Sequence, residues 1–108
     1  MTEKKRAPKN GYAPKKEVAD KPYVPSAFDL PSAYALQALE RGAATEDQQI
    51  KALQLIVNSL CKTYDMSYRP ESQRDTDFSE GKRFVGLQIV SIIKRNLNIY
   101  KPKQESEE

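Results

Sequence analysis

Between residues 46 and 64 the apolar positions fall where one face of a helix would collect them. Counted at 100° per residue, Ile50, Leu53, Ile56, Val57, Leu60, Cys61 and Tyr64 share an arc of about 140°, with Leu55 the one sizeable aliphatic residue well outside it. The pattern predicts a strongly amphipathic helix, opened by Thr45 with Gln48 three residues on as a capping box. A third helix is expected over about residues 74–96, with a main stripe of Phe78, Val85, Ile89, Ile92 and Ile93. Phe84, Leu87 and Val90 lie well away from that stripe, so one partner surface of ordinary width leaves large apolar side chains uncovered. A second contact surface is implied: the first helix, the N-terminal arm or another copy of the chain. That first helix is expected over about residues 30–41, where Asp29 serves as N-cap, Pro31 suits the first turn and Gly42 ends it as a left-handed cap. The expected fold is all-α, a small three-helix domain over residues 29–100.

Outside the helices the periodicity stops. Residues 1–28 hold Pro8, Pro14, Pro22 and Pro25, four of the seven prolines in the chain, which biases them toward polyproline-II and other extended geometry. This segment is expected to be an extended or disordered arm, and residues 101–108 a short flexible acidic tail. The 108 residues therefore support one small domain, and its core segment of about 68 residues, without disulfides or metal, is marginally stable. A homo-oligomer or an obligate complex is accordingly expected over a free monomer. No apolar run approaches the ~20 residues of a spanning helix, and polar, Pro-rich sequence stands where a signal peptide would carry its apolar region. A cytosol-like compartment is the default reading.

Composition narrows the chemistry. The chain has one Cys and no His, so the zinc, Ser-His-Asp and Cys-His sites lose an obligatory member, and neither an enzyme nor a cofactor is expected. Cys61 lies on the apolar arc of the second helix and reads as a small core residue rather than a nucleophile. Glu80-Gly81-Lys82-Arg83 has a Gly-Lys pair but lacks the Gly of a phosphate-binding loop and the strand before it. Gly81 and Gly86 inside a helix each cost about 1 kcal/mol relative to Ala, so a close helix approach at one of them is the economical reason for their presence.

The connection from Tyr64 to Asp75 carries two aromatics, two arginines and three acids within the span between helices. Helix connections in compact domains usually take 2–8 residues, so one of this length is either functional or partly helical, and Pro70 suits a short helical start. Arg69 and Arg74 have acids in reach in Asp65, Glu71 and Asp75, which would fix the loop. Tyr64, Tyr68, Arg69 and Arg74 are also the residue types that dominate interface hot spots, and with Phe84, Leu87 and Val90 they form the candidate partner-binding set.

The stretch from Leu60 to Asn96, above all Cys61-Lys62-Thr63-Tyr64-Asp65-Met66-Ser67-Tyr68-Arg69-Pro70 and Phe78-Ser79-Glu80-Gly81-Lys82-Arg83-Phe84-Val85-Gly86-Leu87-Gln88-Ile89-Val90, resembles a family of small tailed-bacteriophage proteins of the Bordetella-phage type found in podovirus-like genomes. The arm and the first helix lie outside the resemblance. It implies a structural, assembly or ejection-accessory role in a phage particle, a larger virion protein as partner and a location in the virion or the host cytoplasm. No catalytic residue carries over. A host-directed phage inhibitor is a further alternative.

Charge adds one more function class. Residues 1–22 hold seven basic and three acidic residues, residues 23–100 nine of each, and residues 101–108 two basic and three acidic. All of the excess positive charge therefore sits on Lys4, Lys5, Arg6, Lys9, Lys15, Lys16 and Lys21 of the arm. Weak, non-specific and salt-sensitive contact with nucleic-acid phosphates is the alternative reading of that arm.

Overall fold

The computed structural model of the chain describes residues 11–102. Three helices dominate: α1 (Leu30–Glu40), α2 (Glu46–Gln54), which runs on into a π-helical turn (Leu55–Leu60), and α3 (Gln73–Lys94). Short 3-10 turns occupy Lys16–Val18 and Leu97–Tyr100, and β1 (Gly11–Tyr12) pairs antiparallel with β2 (Phe28–Asp29). The domain is mostly helical, as the periodicity predicts, with this two-residue ribbon as its one sheet among the described residues. Residues 1–10 and 103–108, and with them most of the expected acidic tail, lie outside the described residues.

The helix ends follow their capping residues. Asp29 Oδ1 accepts the Ser32 N–H at 3.0 Å, and Gly42, at φ 74°, takes the left-handed conformation after α1. Thr45 and Gln48 close a reciprocal capping box on α2, and Ser72 Oγ accepts the Asp75 N–H at the start of α3. The Ser32 side chain and then its backbone N–H hold the Asp29 carboxyl below its ordinary 3.8. A lowered carboxyl pKa stabilises the fold above that value and ceases to do so as pH falls through the folded-state pKa. Protection of the Ser32 and Ala33 amides, measured against their intrinsic exchange rates, is therefore expected to fall as pH drops below about 3.8, and Asp29→Asn, which keeps the cap without the charge, to flatten that dependence. An unchanged pH profile in the variant would refute the assignment.

The second helix departs from its expected form. It does not continue as an α-helix to Tyr64. The Cys61 N–H donates to Ile56 O at 2.9 Å, five residues back, and the wider turn closes on Lys62, a non-glycine residue at φ 50°. Thr63 then donates to Val57 O through both its N–H and its hydroxyl, at 3.2 and 2.7 Å. Ending the helix here frees the Ser59 carbonyl, which accepts the Ser26 hydroxyl at 2.8 Å.

Core positions also differ from the predicted arcs. The buried apolar residues are Ala35, Ala38, Ala52, Leu55, Val57 and Cys61, whereas Ile50 is 58% exposed and Leu53, Leu60 and Tyr64 are exposed too. Leu55, outside the predicted arc, is inside the core. The reason is steric: α1 and α2 pack through their alanines, which allow close approach, and that contact turns Ile50 and Leu53 away. On α3 the buried residues are Ser79 and Gly86, and Phe78, Val85, Ile92 and Ile93 of the expected stripe are exposed. A methyl group at Gly86 would lie 1.7 Å from Thr63 Oγ1 and 3.0 Å from Cys61 Cβ, so Gly86 marks a close approach, while a methyl group at Gly81 would meet nothing within 4 Å beyond its own stretch of helix.

The described part of the arm folds back on the helices. The Tyr12 and Phe28 rings stack at 5.6 Å, Tyr23 meets Phe78 edge-on at 6.3 Å, and Lys82 Nζ donates to Pro22 O at 2.7 Å. Pro22 itself is buried. Prolines in this segment limit backbone freedom, and the aromatic contacts give it an apolar surface to rest on.

Candidate functional site

Two features of the surface concentrate chemistry. The first is built where the loop after the π-helical turn meets the N-terminal half of α3. Residues 61–72 run as turns rather than as a helical start: the Ser72 N–H donates to Arg69 O at 3.2 Å, which places Pro70 second in a β-turn. Thr76 on α3 ties this turn down, its hydroxyl accepting the Arg69 N–H at 2.7 Å and donating to Arg69 O. The Arg69 guanidinium does not pair with Asp65, Glu71 or Asp75. It donates from Nη1 to the backbone carbonyls of Met66 and Tyr68, at 3.0 and 3.4 Å.

A narrow crevice results, lined by Lys62, Asp65, Met66, Ser67, Arg69, Ser79, Lys82 and Arg83. One cation is neutralised there, since Arg83 pairs with Glu80 at 3.3 Å and donates from Nε to Thr63 O. Glu80 also accepts the Ser67 hydroxyl. Burial, followed by the charges of Lys62 and Arg69, holds the Lys82 ammonium below the ordinary lysine value. The wider groove beside it shares Lys62, Asp65, Met66 and Arg69 and adds Asp20, Lys21 and Glu71 to its walls.

The second feature is apolar. Phe84, Leu87, Gln88, Ser91, Ile92 and Arg95 line a groove of about 380 Å³ on the outer side of α3. Beyond it Ile93, Leu97, Ile99 and Tyr100 are exposed as well, and Arg95 donates to the Tyr100 hydroxyl at 3.3 Å. At 100° per residue Asp77, Phe84, Gln88 and Arg95 lie within about 40° of one another, on the side of α3 away from Gly86.

The residues singled out from the sequence therefore separate. Arg69 lies in the crevice, Phe84 and Leu87 line the outer groove, and Val90 is half-buried on the inner side of α3. Tyr64, Tyr68 and Arg74 are exposed and line neither feature. Of the basic arm, Lys15 and Lys16 are exposed and Lys21 is half-buried, whereas Lys4, Lys5, Arg6 and Lys9 lie outside the described residues. Sequence reasoning passed over Lys62 and Ser79, and weighed Lys82 only as part of a phosphate-binding loop that the sequence does not complete; the fold brings all three to one crevice from the loop and from α3, and Ser91 and Arg95 of the groove were passed over too.

Compared with protein-family models, with curated proteins and with solved structures, the chain matches none. Among the described residues no helix is long and apolar enough to cross a membrane, and no group of three or more His, Cys, Asp or Glu side chains could hold a metal ion.

Proposed function

We propose that this chain is a non-enzymatic assembly subunit that pairs with a second copy of itself through the outer side of α3, and that the paired form docks on a larger protein. One observation carries the reading: in the lone chain the apolar side chains that wall the outer groove of α3, Phe84, Leu87 and Ile92, are exposed. Phe78, Val85 and Ile93 elsewhere on α3, and Ile50, Leu53 and Leu60 of α2 and its π-helical turn, are exposed as well. A groove walled by exposed apolar side chains of this kind marks an interface.

A second copy fits the outer side of α3 in charge and shape. Antiparallel pairing about a two-fold axis at the level of Gly86 sets Asp77 of one copy beside Arg95 of the other, at both ends of the contact. The same register brings each Phe84 to the level of Gln88 in the other copy, within the 380 Å³ groove. An isologous contact is thereby self-complementary.

The resemblance of residues 60–96 to small tailed-phage proteins narrows the setting to a phage particle or its assembly, with a larger virion protein as the docking partner in the virion or host cytoplasm. Two measurements test the parts separately. Sedimentation of the full chain is expected to give a concentration-dependent dimer, and a monomer at all concentrations would overturn the pairing. Mass spectrometry of purified particles is expected to find the chain; its absence, together with normal assembly after deletion of the gene, would overturn the phage setting while leaving the pairing intact.

A further inference from the structure

We propose that the crevice between residues 62–69 and α3 binds a phosphate dianion, free or as a monoester, one oxygen of which seats between Arg69 Nε and Ser79 Oγ. These two atoms are buried and have no hydrogen-bond partner among the described residues. Ser79 is 6% exposed and lines the crevice, as does Arg69. Buried polar atoms are seldom left unpaired, because an unmade hydrogen bond there costs about 1–3 kcal/mol. The Arg69 Nε–H can only donate, so whatever satisfies it must accept.

Size and charge then narrow the occupant. The crevice, about 10 Å³, has room for a single water-sized atom, and the remainder of a larger group would have to lie outside it, on the side of the groove whose walls share Lys62, Asp65, Met66 and Arg69. A lone water would fill that space but leave the charge unbalanced. With Arg83 paired to Glu80, the crevice keeps Lys62, Arg69 and Lys82 against Asp65, and the groove adds Lys21 against Asp20 and Glu71, which leaves a surplus of one over the two together. A carboxylate would balance that surplus but offers only two acceptor oxygens to the four donor groups Lys62, Arg69, Ser79 and Lys82. A phosphate monoester carries about −1.5 to −2 at neutral pH and presents three acceptor oxygens, which suits donors arriving from a guanidinium, a hydroxyl and two ammonium groups. Crowding of like charges at Lys82 points the same way, since an anion would relieve it. The inference is independent of the assembly reading: free phosphate and a phosphorylated side chain offer the same chemistry.

Lys62 provides the clean variant. It sits at φ 50°, where glycine is unstrained, so Lys62→Gly removes the ammonium while relieving the backbone, and its fold is expected to be at least as stable as the parent. The full chain, labelled with ¹⁵N and kept at constant low ionic strength near pH 7.5, is titrated with inorganic phosphate, O-phosphoserine, acetate and chloride. Saturable shifts of the Arg69 Nε–H and the Ser79 amide are expected with inorganic phosphate, with affinity reduced about tenfold in Lys62→Gly, the loss of one charge-assisted contact. O-phosphoserine binding as tightly identifies the monoester as the recognised group, and weaker binding assigns the site to free phosphate. Shifts of equal affinity with acetate or chloride, no saturation with either phosphate, or unchanged affinity in folded Lys62→Gly would overturn the proposal.

Discussion

Gly86→Ala is expected to destabilise the chain by about 3 kcal/mol, at the upper end of what overpacking costs. The added methyl would lie 1.7 Å from Thr63 Oγ1, 2.9 Å from Thr63 Cβ and 3.0 Å from Cys61 Cβ. None of these neighbours can easily give way. Thr63 is fully buried, and its hydroxyl is committed to Val57 O at 2.7 Å, the bond that helps close the π-helical turn. Either α3 moves off the turn, opening the contact that holds it to the rest of the domain, or Thr63 loses its carbonyl partner. For a domain of this size the loss corresponds to a fall in Tm of about 10–20 °C. Gly81→Ala is the control: a methyl there meets nothing within 4 Å beyond its own stretch of helix, so it is expected to leave stability unchanged or raise it by up to about 1 kcal/mol. Thr63→Ala in the Gly86→Ala background removes the closest clash and should recover part of the loss, a coupling read from thermal melts at one protein concentration. Equal stability of the two alanine variants would refute the close approach.

Local chemistry in the sequence was legible down to individual hydrogen bonds. Asp29, Thr45 with Gln48 and Gly42 punctuate the helices because capping is decided by residues within a turn of each other, and no tertiary context is needed to read it. Burial was legible only as periodicity. Periodicity shows that a face wants covering, but not what covers it. Ile50, Leu53 and Leu60 form a stripe that a single-chain reading assigns to the core, yet α1 and α2 approach through Ala35, Ala38 and Ala52 and leave that stripe outside. Ser79 and Gly86, too small to weigh in any hydrophobic count, define the inner side of α3 because they let its backbone come near Thr63 and Cys61. The widened turn at Leu55–Leu60 had no signature either, since it depends on how Thr63 and the Lys62 backbone close it.

The crevice was hidden for a different reason. Arg69 stood out as a residue type suited to recognition, but its meaning depends on which atoms remain free after the loop has formed. Nη1 is spent on the carbonyls of Met66 and Tyr68, and Nε is left buried and unpaired in a crevice that Ser79, ten residues on and on another element, also lines. Lysines 62 and 82 join them only because α3 folds back over the turn. Such a site is a product of topology, and no spacing rule on a linear sequence would have found it.

Phe84→Asp is expected to abolish self-association without unfolding the chain. Phe84 is 62% exposed in the single copy, so a carboxylate there stays in water and the folded monomer loses little. In the proposed pair the same residue would lie in the opposite groove. Burying a phenylalanine side chain contributes about 1.5–3 kcal/mol, and a two-fold contact contains the residue twice, so the variant should lose about 3–6 kcal/mol of association. That is a weakening of roughly 100- to 10,000-fold, which sedimentation equilibrium would record as a shift from dimer to monomer. Circular dichroism should stay helical; a variant that remains dimeric at the parent's concentration range would refute the contact. Charge reversal then fixes the direction of pairing. Asp77→Arg and Arg95→Asp each place like charges together at both ends of an antiparallel contact and should weaken it a few-fold, as exposed ion pairs do. The double variant restores opposite charges only if residue 77 of one copy faces residue 95 of the other. Recovery of the parent affinity in the double variant establishes that register, and additive weakening would mean that the two stripes meet some other surface.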